Sequence, residues 1–193
     1  RDLMLIIDLS GSMAERDMYI NGRRESRMYA VKVAVMDFIK QRQSDRLGVV
    51  VFGDEAFVQA PVSQDIEAIG ELIIELEPKM AGEHTAIGDG IALTAKRLAQ
   101  SDTQKNSTDK NTEKVAILLT DGVENGGQIT SVKALEIAKK VGLKIHSIGF
   151  GGTRFGGNFD ERSLKNIANE TGGQYFKAGS IAELQNVYAL LNE

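Results

Sequence analysis

Short apolar runs alternate with stretches of helical periodicity from one end of this chain to the other, and few architectures accommodate that alternation. The apolar runs are residues 3–7, 46–52, 57–62, 115–119, 144–148 and 174–176, and the helical stretches are 27–41, 66–76, 87–99, 131–141, 161–171 and 181–191. Apolar strands that each lead into a helix build βαβ units. Such units assemble into a largely parallel sheet covered on both faces. The second and third runs depart from the rule, because only Gly53-Asp54-Glu55-Ala56 separates them. That length suits a hairpin and leaves no room for a crossover. The third strand is therefore expected to be antiparallel, and its Pro61 fits an edge position. The reading is α/β and Rossmann-like: a single domain over 1–193 with no internal repeat.

Local signals agree. Ser26 and Asp160 stand where N-caps belong, and Ser180 has Glu183 three residues on, a capping-box pattern. Gly142 and Gly172 stand where helices stop. The stretch 101–113 is polar throughout and without periodicity, and reads as a surface loop.

Composition narrows the function. The net charge of −4 and the pI near 5.4 argue against nucleic acid as the main partner, since phosphate binding wants a basic face. No segment approaches the roughly 18 consecutive apolar residues of a membrane span. The chain opens at Arg1-Asp2 and enters a strand at once, which reads as a domain cut from a longer protein. With no cysteine, disulfides and thiolate metal sites are out of reach.

Oxygen-bearing residues in three separate stretches then stand out. Asp8-Leu9-Ser10-Gly11-Ser12 follows the first apolar run, Thr85 lies in a loop before the third helix, and Asp121 follows the fourth apolar run. In open α/β sheets, ligands collect beyond the carboxyl ends of the strands, where strand order reverses. If the first and fourth strands are neighbours there, Asp8 and Asp121 face one crevice. Each stretch alone is also ordinary turn or cap chemistry. Together they form a set of two carboxylates and three hydroxyls, which suits magnesium, calcium or manganese and suits zinc or copper poorly.

The pattern Asp8-x-Ser10-x-Ser12, then Thr85, then Asp121 resembles the metal-ion-dependent adhesion site of von Willebrand factor A domains, also called integrin I-like domains, and the resemblance covers essentially the whole chain. It implies a three-layer fold with a central six-stranded, mostly parallel sheet in the order 3-2-1-4-5-6, strand 3 the antiparallel edge, and helices on both faces. It implies that Ser10, Ser12 and Thr85 approach a magnesium ion directly, with Asp8 and Asp121 often acting through water. The motifs Asp8-Leu-Ser-Gly-Ser-Met13, Asn21-Gly22, Thr85-Ala-Ile-Gly88, Leu119-Thr-Asp-Gly122 and Gly172-Gly-Gln-Tyr-Phe176 look like bacterial membrane-associated proteins of the Bat (aerotolerance) type. That likeness implies membrane anchors in flanking segments, a periplasmic face on the inner membrane, and other Bat proteins or a MoxR-type ATPase as partners.

Two functions compete on the residues. The leading one is a binding module without chemistry of its own, in which the metal bridges these ligands to an Asp or Glu of a protein partner. The alternative is a metal-assisted hydrolase or phosphotransferase, which needs a positioned base. His84 is the obvious candidate, although a lone His beside hard oxygens reads first as a neighbour or surface residue; His146, inside a strand, reads as structural. Glu83, Asp89 and Glu124 are expected either to tune charge or to be solvated. The insert 17–25, with its Asn21-Gly22 turn, reads as an excursion offering Tyr19, Arg23 and Arg24 to a partner, or as a solvated loop. The glycine-rich stretch 150–160, with Phe155, is a candidate partner loop; no Gly-Lys-Ser/Thr follows its glycines, so it is not a phosphate loop.

Overall fold

The computed structural model describes residues 1–42, 44–103, 112–151 and 159–191. Its strands are β1 (Asp2–Asp8), β2 (Met18–Ile20), β3 (Arg23–Glu25), β4 (Arg46–Phe52), β5 (Ala56–Ser63), β6 (Lys114–Thr120), β7 (Leu143–Phe150) and β8 (Tyr175–Ala178). Its helices are α1 (Arg27–Lys40), α2 (Ile66–Ile74), α3 (Ile87–Thr103), α4 (Ser131–Lys140), α5 (Glu161–Glu170) and α6 (Ile181–Leu190). Six strands form one sheet in the order β5-β4-β1-β6-β7-β8, and β2 and β3 pair separately. All neighbours in the large sheet are parallel except β4 and β5. This is the expected order, with the hairpin left out of the count.

The period of two along the strands sorts side chains between two cores. Leu3, Leu5 and Ile7 of β1 face one side with Val49 of β4 and Ile117 of β6, packed against Val31, Val35 and Phe38 of α1, Ile73 of α2 and Leu184 of α6. Met4 and Ile6 face the other side with Phe52 and Leu118, packed against Ile91 and Ala95 of α3, Leu135 of α4 and Leu164 of α5. Because both faces are covered, the central strands carry apolar residues at successive positions. Truncating a fully buried ring such as Phe38 to alanine would cost about 3–5 kcal/mol.

The edge strand answers to its proline. Register pairs Val49 with Ala60 but Leu47 with Ser63, so β5 carries an irregularity around the exposed Pro61. A residue without an N–H is tolerated there because the ladder is already broken and the strand has no outer neighbour.

The caps form as expected. The Tyr29 N–H donates to Ser26 Oγ at 3.1 Å, that of Ser163 to Asp160 Oδ1 at 3.0 Å, and that of Glu183 to Ser180 Oγ at 3.2 Å. Gly142 and Gly172 close α4 and α5 at φ of 68° and 75°, where a side chain would be strained. The largest boundary shift is in α3, which continues to Thr103, into the stretch read as loop. Nothing in Gln100-Ser101 breaks a helix, and Arg46 Nη2 donates to Ser101 Oγ at 3.0 Å. Residues 104–111 of that loop lie outside the described residues.

Candidate metal centre

Strand β1 sits between β4 and β6, where chain order reverses, so the loops after β1 and β6 open side by side. The parallel register sets Ile7 against Leu119, which brings Asp8 and Asp121 to the same edge of the sheet. Both are buried, at 0% and 1% exposure.

After Asp8 the chain makes a tight turn and a short 3-10 segment, Gly11–Ala14. The Asp8 carboxylate holds this turn, with Oδ1 accepting from the Ser10 N–H at 2.8 Å and Oδ2 from Thr120 Oγ1 at 2.6 Å. Ser10 Oγ and Ser12 Oγ lie 3.1 Å apart, and the Ser12 hydroxyl donates to Asp121 Oδ1 at 2.6 Å. Asp8, Ser10, Ser12 and Asp121 are therefore one connected cluster.

Thr85 reaches the same place on its own loop. Backbone bonds bind that loop to its neighbours: Lys79 N–H to Leu9 O, Gly11 N–H to Glu83 O and Ala86 N–H to Gly53 O. The Thr85 N–H donates to Asn125 Oδ1 at 2.8 Å, and the Asn125 N–H returns to Thr85 O at 3.2 Å, so Thr85 is tied to the loop that carries Asp121. A Cβ on Gly122 would stand 3.2 Å from Thr85 Oγ1. A larger residue beside Asp121 would crowd that hydroxyl.

Electrostatics at this edge are unfavourable without a cation. Burial first, and then the charge of Asp121, push the Asp8 carboxyl up to about 7, against the opposing effect of its bonds from Ser10 and Thr120. Asp121 is raised as well, again chiefly by burial, although Ser12 and Arg27 work the other way. Two buried carboxylates among hydroxyls suit a hard divalent ion, which would restore the charged form of both. Among the described residues no group of three or more His, Cys, Asp or Glu is placed to hold a metal. The donor set instead rests on two acids completed by hydroxyls.

The structure also supplies a residue that sequence reasoning passed over. Arg27, the first residue of α1, donates from Nη1 to Asp121 Oδ2 at 2.9 Å, while its Nε and Nη2 grip Asp17 at 3.0 and 2.6 Å. Its burial works against the charge, but the two carboxylates hold its pKa above the ordinary value. The nearest signal in sequence was the Asn21-Gly22 turn. With φ of 50° and 77°, that turn folds β2 onto β3 and returns the chain from Asp17 to Arg27.

Other flagged residues resolve into plain structure. Glu124 accepts from Gly88 N–H at 2.8 Å and from the Ser131 N–H and hydroxyl, joining the starts of α3 and α4. Asp89 accepts from the N–H groups of Gln128 and Ile129. Glu83 pairs with Lys79 at 2.9 Å. His84 Nδ1 lies 2.6 Å from Asp54 Oδ1 in an exposed pair. His146, half-buried in β7, accepts from the Gln174 N–H at 3.1 Å, and burial pushes its pKa down. Tyr19 is 63% exposed on the hairpin. Residues 152–158, including Phe155, lie outside the described residues.

The family model described as the von Willebrand factor type A domain matches residues 2–190. A UPF0353 protein from Mycolicibacterium paratuberculosis is 30% identical over 207 residues, covering 98% of this chain and 58% of its own. The chain spans only 53% to 59% of the length of the first curated relatives it matches. Among solved structures, an uncharacterized membrane spanning protein from Vibrio fischeri is 38% identical, covering 99% of this chain and 97% of its own, with a TM-score of 0.51. BatB from Bacteroides thetaiotaomicron shares the fold at a TM-score of 0.74 and 21% identity, covering 98% of this chain and 96% of its own.

Proposed function

Because the chain belongs to the von Willebrand factor type A domain family, we propose that Asp8, Ser10, Ser12, Thr85 and Asp121 together hold one divalent cation and that the loaded site recruits an acidic residue of a protein partner. Magnesium is the first choice of ion, with calcium or manganese as alternatives. The observation that carries the reading is the connected cluster of buried Asp8, Ser10 and Asp121 with half-buried Ser12 at the point where strand order reverses.

The ion would supply positive charge and an outward position for one more hard oxygen. The chain supplies the rest. Asp8 and Asp121 offset the charge of the ion. The Ser12 proton is committed to Asp121, so Ser10 is the donor between the two hydroxyls and one lone pair of Ser12 is left for a cation. The bonds to Ser10 and Thr120 fix Asp8 against rotation, and Asn125 holds Thr85 in place. A single carboxylate does not make an interface specific, so the surrounding loops, with Tyr19 among them, would decide which acidic residue is accepted.

Catalysis is the weaker reading. A general base works best partly desolvated and within reach of the reacting group. His84 is bonded to Asp54 and its side chain is 59% exposed. Among the described residues no helix is long and apolar enough to cross a membrane. The similarity to a membrane spanning protein and to BatB supports a further proposal: this is the recognition domain of a bacterial, membrane-anchored, Bat-type protein. On that proposal it faces the periplasm and works with other Bat-type proteins or a MoxR-type ATPase.

The test is selection from a displayed library of short peptides in magnesium, followed by chelator. Sequences containing Asp or Glu should be enriched, released by chelator, and lost with Thr85→Ala while the fold persists. Peptides that stay bound in chelator would contradict the reading.

A further inference from the structure

We propose that Arg27 is the resident counter-cation of this site: it neutralises Asp121 when no divalent ion is bound and is the charge against which an arriving ion competes. The inference rests on the reading that the cluster takes such an ion.

The geometry is specific to arginine. One edge of the guanidinium, Nε and Nη2, is spent on Asp17, at 3.0 and 2.6 Å, and the remaining Nη1 reaches Asp121 Oδ2 at 2.9 Å. A planar fork can serve two carboxylates in fixed directions, whereas a lysine ammonium is a single point on a flexible stem. The backbone is fixed as well, since the Arg27 N–H donates to Glu15 O at 2.9 Å and Ser26 caps the helix behind it. Arg27 therefore arrives at Asp121 already oriented.

Among the described residues, the neighbouring cations have other partners. Lys79 pairs with Glu83 and His84 with Asp54. Asp121 has a side chain with 0% exposure, and its salt bridge is to Arg27. A buried carboxylate stripped of its cation is strongly destabilising, because water cannot replace the lost partner.

Asp17 adds a second feature. By holding the other edge of the guanidinium it divides the positive charge, so Arg27 only partly neutralises the cluster. Asp17 and Asp121 share the single guanidinium of Arg27, so the two carboxylates are not fully matched. The arrangement is poised: enough positive charge to keep the empty cluster folded, too little to shut out a divalent ion. Loosening Asp17 should shift the guanidinium toward Asp121 and against the ion.

Melting temperature and magnesium affinity of the chain together test this, using Arg27→Met and Asp17→Asn. In chelator, Arg27→Met should melt about 5–10 °C below wild type. In saturating magnesium the gap should close to about 2 °C, because the ion takes over the role of the guanidinium. Calorimetry should show Arg27→Met binding magnesium about tenfold more tightly than wild type and Asp17→Asn more weakly by a similar order. Equal melting gaps in chelator and magnesium, with wild type still binding the ion, would overturn the inference alone and leave Arg27 a structural strut. Wild type that takes up no magnesium would overturn the metal reading and this inference with it. If Arg27→Met fails to fold in either buffer, Arg27→Lys decides. It keeps the charge and loses the fork, and its melting gap must shrink in magnesium; an unchanged gap rejects the inference.

Discussion

Strand β1 begins and ends on an aspartate, and Asp2 and Asp8 are both fully buried, yet the two ends of the strand are electrostatic opposites. At the amino end, Arg46 Nε stands 3.5 Å from Asp2 Oδ1, an ion pair without hydrogen-bond geometry. Next to it, Arg42 and Arg1 grip Asp45 at 2.7 and 3.2 Å. Although burial opposes it, those bonds hold Asp45 below the usual carboxylate range. The Arg42 guanidinium also lies 4.7 Å over the Phe38 ring and donates to Leu191 O. This end is settled by the chain itself. At the carboxyl end, Asp8 meets hydroxyls and a second carboxylate, and its pKa goes up. Burial of an aspartate does not by itself make a site; the sign of its neighbours does.

The comparison can be broken in several places. The largest effect should come from the settled end. Asp45→Ala removes a buried carboxylate that both Arg42 and Arg1 grip, and should cost about 3–4 kcal/mol in urea unfolding, equally in chelator and in magnesium. A loss that depends on magnesium would mean the two ends are coupled. Next, Asp8→Asn keeps the shape and removes one buried charge. In chelator near neutral pH it should stabilise the chain by about 1–3 kcal/mol and abolish its thermal response to magnesium. If this variant is destabilised in chelator, the carboxyl end does not carry the strain assigned to it.

A pH series sharpens the same contrast. The folded-state pKa of Asp8 is raised from 3.8 to about 7. The stability it contributes is therefore full below about pH 4 and is lost as pH rises toward 7. In chelator, this region should lose stability across that window, and magnesium should remove the loss. Magnesium affinity should rise over the same window, because protons and the ion compete for one pair of carboxylates. Asp45 predicts the reverse: its lowered pKa contributes stability above the unfolded value that is lost as pH falls through the folded one. The smallest effect belongs to the hairpin. Tyr19→Ala should change stability by no more than about 0.5 kcal/mol and leave magnesium binding unchanged, while weakening capture of acidic peptides.

The elements that could be read from sequence are those whose cause is local. Alternating apolar strands, the four-residue link before β5, Pro61 and the caps at Ser26, Asp160 and Ser180 each act within a few residues. The gathering of Asp8, Ser10, Ser12, Thr85 and Asp121 at one edge of the sheet was legible because each lies in a loop that follows a strand or precedes a helix, and the topology brings those loops together. What escaped depends on chain returning from elsewhere. Arg27 meets Asp121 only because the β2–β3 hairpin brings Asp17 alongside it. Asn125 meets Thr85, and Glu124 bridges two helix starts, only once the loops after β6 and α2 are packed together. The four additional residues of α3 escaped for a different reason: a polar helix end carries no periodicity to read.

The most direct measurement is calorimetric titration of magnesium into the chain and into Asp8→Asn, with Asp45→Ala as a control for the opposite end. One site per chain in wild type, none in Asp8→Asn and an unchanged site in folded Asp45→Ala is the predicted result. Magnesium uptake that survives Asp8→Asn unchanged would place the ion elsewhere and contradict the assignment of this edge of the sheet.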